Sequence, residues 1–272
     1  MGHSRQSLAN DLCTLGLKPG DIVMVHASVR AVGKVFGGPD EIHLAITDAI
    51  GPNGTMMMVI GCPDGFDEVG RGRLTREEED ELLANMPPFD PATTRAARDI
   101  GTLAEFFRSF PGAVCSQSIV RFCARGRRAT WLMKDQPWNY AFGNGSPLEK
   151  LVEAGGKLLL LGCDHDTVTL MHHVEHVTDF PGKRIVRVRV PVLKNGRREW
   201  VDYEEFDSSD DGVHAHWPRR FFAIITDAFI DEFVGTEMCR AGKVGDAKTA
   251  LIDAGALVRY AAPLMVGQAN KT

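Results

Sequence analysis

The sequence predicts an α/β (α+β) protein: a single large domain with a central mixed sheet flanked by helices. Three observations predict it. The 272 residues are 44% hydrophobic and 25% charged, ordinary values for a globular chain. No internal repeat and no clear linker divides them, although length alone permits one large domain or two of ordinary size. Residues 22–60 read as a β-α-β unit, and a hairpin follows much later, so parallel and antiparallel pairing are both expected.

In chain order, residues 8–15 read as a short helix closed by Gly16, and Lys18-Pro19-Gly20-Asp21 as a turn. Residues 22–26 form a short apolar strand. Gly37-Gly38-Pro39-Asp40 opens an amphipathic helix with Ile42, Ile46, Ala49 and Ile50 on one face. Gly51-Pro52-Asn53-Gly54 ends it, and residues 55–60 are continuously apolar, as in a strand buried on both faces. Residues 63–98 differ in character: a Gly- and Asp-rich loop, an acidic helix over 76–85, then Pro87, Pro88 and Pro91. Charge runs favour a solvated insertion; a loop over an active site is the alternative. Residues 100–107 form a helix with Leu103, Phe106 and Phe107 turned inward, and 118–124 a strand. A helix over 147–154 stops at Gly155-Gly156, before the most evident buried strand, 157–161, and a helix over 167–177. Residues 184–193 alternate Ile185/Arg187/Arg189 with Val186/Val188/Val190, a strand solvated on one side. Asn195-Gly196 is the strongest hairpin signal, with its partner strand over 199–206 and an amphipathic helix over 221–233.

Thirty-one Lys and Arg against 36 Asp and Glu leave a net charge of −5, with an isoelectric point near 6.0. That speaks against nucleic acid, whose binders are usually basic, and is compatible with a cationic partner. The six cysteines, Cys13, Cys62, Cys115, Cys123, Cys163 and Cys239, form no C-x-x-C pair and are expected to be reduced and mostly buried. The N-terminal residues show no apolar signal core, and no apolar run approaches the roughly 20 residues that span a bilayer. The expected location is the cytoplasm, with no membrane partner; a homodimer is left open.

The densest chemical signal is Gly162-Cys163-Asp164-His165, followed by Thr169, His172, His173, Glu175 and His176. It follows a buried strand, where α/β sheets collect ligand-binding and catalytic groups. His172 and Glu175 are i and i+3 on a helix and share a face. A carboxylate there holds the imidazole tautomer and stabilises its protonated form, making a better general base. His173 points about 100° away. A rival reading is the zinc-peptidase pattern H-x-x-E-H, formed by His172, Glu175 and His176, which needs a further acidic ligand that nothing singles out. Cys163 could be reactive, but a buried structural thiol is more common. A second polar cluster, from Tyr203 through Glu204, Glu205 and Asp207 to Asp210 and Asp211, reads as a solvated turn or as a cation-binding wall. The third, from Val25 to Gly38, leads into a helix N-terminus, where backbone N–H groups with Arg30 and Lys34 suit phosphates.

These segments together resemble the aminoglycoside N3-acetyltransferase family. The resemblance rests on ordered motifs: Gly20-Asp21; His26-Ala-Ser28-Val-Arg30-Ala-Val-Gly33 with Gly37-Gly38; Gly51-Pro-Asn-Gly54; Phe89-Asp90-Pro91; Asp99-x-Gly101-x-Leu103; Pro111-Gly112; Gly145-Ser146-Pro147; Leu161-Gly162; Thr169-x-x-His172-x-x-Glu175; and Asp207. It departs at Cys115, where an Arg is usual, and at Ser118-Ile119, where many members carry His-Pro. The resemblance implies an α/β fold distinct from the GCN5-related acetyltransferases. It implies transfer of acetyl from acetyl-CoA to the 3-amino group of a 2-deoxystreptamine aminoglycoside, a resistance activity, with no metal. It implies His172 as general base and Glu175 as its partner. Coenzyme contacts are expected at His26, Ser28, Val29, Arg30, Val32, Gly33, Lys34, Val35 and Gly38. Substrate contacts are expected at Asp64, Thr169, Glu205 and Asp207. A zinc hydrolase and a non-catalytic coenzyme A or aminoglycoside binder remain the alternatives.

Overall fold

The computed structural model describes residues 2–63, 65–66, 68–70, 72–208 and 216–271. Helix α1 (Arg5–Leu15) leads to strand β1 (Ile22–Ala27), a single turn α2 (Val29–Val32), helix α3 (Asp40–Ile50) and strand β2 (Thr55–Gly61). Then come α4 (Arg76–Asn85), α5 (Thr102–Ser109), β3 (Val114–Cys115), β4 (Arg121–Gly126), α6 (Ala129–Met133) and α7 (Pro147–Glu153). Strand β5 (Lys157–Leu161) feeds α8 (Leu170–Val177), and β6 (Ile185–Lys194) with β7 (Arg197–Phe206) makes the hairpin. Helix α9 (Phe221–Phe233), strands β8 (Cys239–Val244) and β9 (Ala247–Asp253), and helix α10 (Ala254–Ala269) close the chain.

Seven strands form one mixed sheet in the order β3-β4-β2-β1-β5-β9-β8. Strand β1 is central and parallel to both β2 and β5; β4, β9 and β8 run antiparallel to their neighbours. The continuous apolar runs need cover on both faces, and they have it. Leu158 and Leu160 pack into one core cluster with Phe122, Leu170 and Leu257. Leu159 and Leu161 pack into a second with Leu8, Ile46 and Phe107. Period-two alternation thus divides each central strand between two cores. Because β2, β1 and β5 are parallel, the loops that leave them open at the same edge, where α/β sheets hold their ligands.

The hairpin forms as its turn residues dictate. Asn195 (φ 51°) and Gly196 (φ 74°) are both left-handed, as a type I′ turn requires. Val186, Val188 and Val190 are buried while Ile185, Arg187 and Arg189 face solvent.

Several expectations are corrected. Helix α5 begins at Thr102 rather than at residue 100; its buried arc runs through Leu103, Ala104 and Phe107, and Phe106 is 38% exposed. The strand expected over 118–124 begins at Arg121. Residues 165–167 form a separate 3-10 turn, and α8 begins at Leu170. The insertion is not merely solvated. Helix α4 buries no side chain, but Phe66, Val69, Met86 and Phe89 enter the core. Phe89 also pairs with the hairpin, donating its N–H to the Pro191 carbonyl at 2.8 Å and accepting from Leu193 N–H at 2.7 Å. The cysteines are not all reduced: Cys115 and Cys123 face each other across β3 and β4 and are joined as a disulfide, with Cα atoms 4.0 Å apart. Nor are they mostly buried, since Cys13 is exposed and Cys62 and Cys163 are half-buried. Direct cross-strand pairing brings two residues this close, and strand register is not visible in their sequence spacing. The sequence pattern gives no sign of β3, α6, β8, β9 or α10.

Candidate active site

The site lies where the chain leaves β1 and β5. Ser28, just after β1, donates its backbone N–H to Leu161 O at the end of β5, at 2.9 Å. Gly162 then turns left-handed (φ 63°), where a Cβ would stand 2.5 Å from the Ala31 Cβ; only glycine lets the two loops approach so closely. The chain passes through the turn at residues 165–167 and enters α8, whose first turn carries His172.

His172 Nδ1 lies 2.8 Å from Glu175 Oε2. The Glu175 side chain is 2% exposed and that of His172 is 28% exposed. A buried carboxylate at Nδ1 calls for an Nδ1–H tautomer, which makes Nε2 the basic nitrogen. No protein group among the described residues hydrogen-bonds that nitrogen. The imidazole stacks on Phe142, with ring centroids 5.1 Å apart and planes 29° from parallel, and meets Phe222 edge-on at 5.1 Å. Ring orientation is thereby set by packing as well as by the carboxylate.

Two cavities meet at this histidine. One, of about 640 Å³, is lined by His26, Ser28, Val29 and Arg30 from the loop after β1, and by Cys163 and Thr167. The other, of about 440 Å³, is lined by Phe66 from the insertion, by Phe142, and by Val186, Tyr203 and Glu205 from the hairpin. Val59, Asp99, Ile100, Thr169 and His172 line both.

The other histidines of the cluster have different work. His173 is buried with Nδ1 2.8 Å from the Phe142 carbonyl, and burial lowers its pKa. His165 pairs with Asp227 at 2.6 Å. His176 Nδ1 faces the His172 carbonyl and its Nε2 faces Glu205 Oε1, each at 2.5 Å. With both nitrogens engaged, His176 has no lone pair to offer a metal, and no group of three His, Cys, Asp or Glu converges as a metal site among the described residues. The zinc-peptidase pattern is therefore a match of letters and not of donors. Burial pushes the Cys163 thiol up to about 11, which keeps it protonated and unreactive.

Of the residues expected to hold coenzyme, His26, Ser28, Val29 and Arg30 come together in the larger cavity. His26 is buried, which lowers its pKa to about 4 and keeps it neutral. Ser28 Oγ accepts from Ala31 N–H at 3.3 Å and caps α2. Val32, Gly33, Lys34, Val35 and Gly38 lie outside that cavity. Val32 is wholly buried in the core, and Lys34 Nζ stands 5.9 Å above the Phe36 ring. Of the expected substrate residues, Thr169 lines both cavities and Asp64 lies outside the described residues, as do Asp210 and Asp211. Glu205 and Asp207 are already engaged. The Glu205 carboxylate meets His176 and also accepts from Ala141 N–H at 2.8 Å and Phe206 N–H at 2.9 Å. Asp207 is fully buried and accepts from Arg184 Nε at 2.8 Å. Glu204 pairs outward with Arg187.

Asp99 was missed as a site residue. It is exposed, lines both cavities beside His172, and has no ion-pair or hydrogen-bond partner among the described residues. The signal was present in the Asp99-x-Gly101-x-Leu103 segment, but nothing local says that this loop folds back over β1 and β2.

A histidine held by a buried carboxylate, at the meeting of two cavities, is an arrangement that suits a transfer between two substrates. A sequence model of the family described as aminoglycoside 3-N-acetyltransferase matches residues 24–266. Aminoglycoside N(3)-acetyltransferase III of Pseudomonas aeruginosa is 39% identical over 260 residues, covering 95% of this chain and 92% of that protein. Aminoglycoside N(3)-acetyltransferase VII of Streptomyces paromomycinus is 37% identical, covering 94% and 89%. Among solved structures, AAC-IIIb in binary complex with CoASH superimposes with a TM-score of 0.88 at 40% identity, covering 97% of each chain. AAC-VIa bound to sisomicin superimposes with a TM-score of 0.89 at 28% identity, covering 99% of each. The chain belongs to the aminoglycoside 3-N-acetyltransferase family. It is an acyltransferase with acetyl-CoA as cosubstrate. No described helix is long and apolar enough to cross a membrane.

Proposed function

We propose that His172, held by Glu175, is the general base that deprotonates the 3-amino group of a 2-deoxystreptamine aminoglycoside for attack on acetyl-CoA. The observation that carries this reading is the position of the His172 ring, which lines both cavities while its Nδ1 is tied to a buried carboxylate. The larger cavity takes the acetyl-pantetheine arm, with His26, Ser28, Val29 and Arg30 along it. Lys34 and Gly38, outside that cavity, are left for the phosphates. The hairpin cavity takes the aminoglycoside, with Thr169 at the junction.

An ammonium is not a nucleophile, so His172 Nε2 first takes a proton from it. The amine nitrogen then forms a bond to the thioester carbonyl carbon. As the tetrahedral intermediate collapses, the carbon–sulfur bond breaks; of the two N–H protons that the ammonium gives up on becoming an amide, the one held on His172 passes to the departing thiolate and the other leaves the nitrogen for solvent. Glu175 stabilises the imidazolium in between. Ammonium recognition falls to Asp99, whose carboxylate has no partner among the described residues; Glu205 and Asp207 are engaged by the protein's own groups. Acetyl-CoA is an intracellular metabolite, which places the reaction in the cytoplasm. The test is a thiol-release assay with acetyl-CoA and a panel of aminoglycosides. His172→Ala should lower turnover on the order of 10²- to 10⁴-fold with acetyl-CoA binding retained by calorimetry; near-native turnover would sink the assignment.

A further inference from the structure

We propose that His176 is a positioning residue for the acetyl transfer, coupling the hairpin wall of the substrate cavity to the placement of His172. The inference rests on the general-base reading above and deepens it.

His176 lies one helical turn beyond His172 on α8, and its side chain is 2% exposed. Nδ1 faces the backbone carbonyl of His172 at 2.5 Å, and Nε2 faces Glu205 Oε1 on β7 at 2.5 Å. Both partners are acceptors, unless Glu205 itself carries the proton. In either distribution the pair holds one proton at Nδ1 and one between Nε2 and Oε1, and the unit is neutral. A neutral, hydrogen-bonded unit can be buried without the large desolvation penalty of a lone charge. The remaining capacity of Glu205 is met by two backbone donors, Ala141 N–H and Phe206 N–H. The carboxylate thus joins three segments: the catalytic helix, the hairpin and the loop preceding α7.

Packing repeats the same connection. The His176 ring meets Phe206 edge-on at 4.8 Å and Phe142 at 5.7 Å. Phe142 is also the ring on which His172 stacks. His176 therefore reaches His172 by two routes, through its carbonyl and through the shared phenyl ring. Glu205 and Phe206 both line the hairpin cavity, so a ligand that moves the hairpin also moves the brace behind the base. Misplacement of a catalytic group by about 1 Å is enough to lower a rate on the order of 10²-fold.

The experiment is steady-state kinetics with acetyl-CoA and sisomicin. His176→Phe keeps a ring among Phe142 and Phe206 and removes both hydrogen bonds. It should lower kcat about ten- to a hundredfold while both KM values stay within about threefold. Glu205→Ala should do the same, and the double variant should be no worse than either single one, because both substitutions break one brace. Glu205→Gln should lose less than Glu205→Ala, since its amide can donate to Nε2 of the Nδ1–H tautomer. A kcat within twofold of native in His176→Phe, additive losses in the double variant, or a Glu205→Ala effect confined to the KM for sisomicin would each overturn the proposal. If His176→Phe does not fold, the two Glu205 variants decide by the same criteria. If the native enzyme releases no thiol with any aminoglycoside, the general-base reading fails separately. A crystal structure of His176→Phe then decides this one: a His172 ring still stacked on Phe142 and 2.8 Å from Glu175 would overturn it.

Discussion

At the scale of single residues, the pairing of His172 with Glu175 follows from sequence spacing alone, because any α-helix places i and i+3 on one face. What spacing does not reveal is that Glu175 is sealed from solvent while His172 opens to two cavities. That difference has a consequence. In Glu175→Gln the amide can donate to Nδ1, which favours the Nε2–H tautomer and leaves no basic nitrogen toward the substrate. Turnover should fall on the order of 10²- to 10⁴-fold, with the KM for the aminoglycoside little changed; an equal loss in KM would instead mark Glu175 as a substrate contact. The acidic run at the end of β7 shows the opposite outcome. Five carboxylates in a short stretch suggested a wall for cations, yet Glu204, Glu205 and Asp207 are taken by Arg187, His176 and Arg184. Composition cannot distinguish a free carboxylate from one whose partner comes from another element, and Asp99 was overlooked for the same reason.

At the scale of elements, the strands that form the middle of the sheet were the most legible. Residues 157–161 and 55–60 are apolar without interruption, and only a strand covered on both faces asks for that. The hairpin was legible from two residues, Asn195 and Gly196, whose left-handed backbone few others adopt. The edges were not. Strand β8 has four exposed residues among six, and β3 at the other edge is two residues long. Next to it, β4 was legible as a strand but not in its bounds; it carries the fully buried Arg121, whose Nη2 donates to the Arg95 carbonyl at 2.6 Å, a partner that comes from a distant segment. The disulfide belongs to this scale too, since it depends on the register of β3 against β4. Titration of the unfolded, unreduced protein should find four thiols, Cys13, Cys62, Cys163 and Cys239; six before reduction would show that the bond does not form.

At the scale of the whole molecule, burial of neutral histidines ties stability to pH. Burial lowers the pKa of His26 to about 4 and also lowers those of His43 and His173. Each prefers the neutral form when folded, so its contribution is complete above the ordinary value near 6.5 and is lost as pH falls toward the lowered one. Glu105 acts in the same direction further down: its hydrogen bond to Arg108 is the main cause that holds it at about 2, a contribution lost as pH falls below the ordinary carboxylate range. Urea midpoints should therefore be lower at pH 5 than at pH 7.5, and His26→Leu should reduce the difference; equal midpoints would contradict the burial of these rings. By itself the sequence determined the ordinary globular composition, the central β-α-β unit, the hairpin and the His172–Glu175 pair. All of these are local, written in periodicity, turn chemistry and helical spacing. Only the tertiary structure decided that the loops after β1 and β5 meet, that two cavities share one imidazole, which carboxylates are already paired, and that His176 joins α8 to the hairpin. The contacts of Glu205 with His176 and Ala141 alone span 29 and 64 residues of chain, and a contact between distant segments is specified by the packing of the whole core, not by the residues on either side of it.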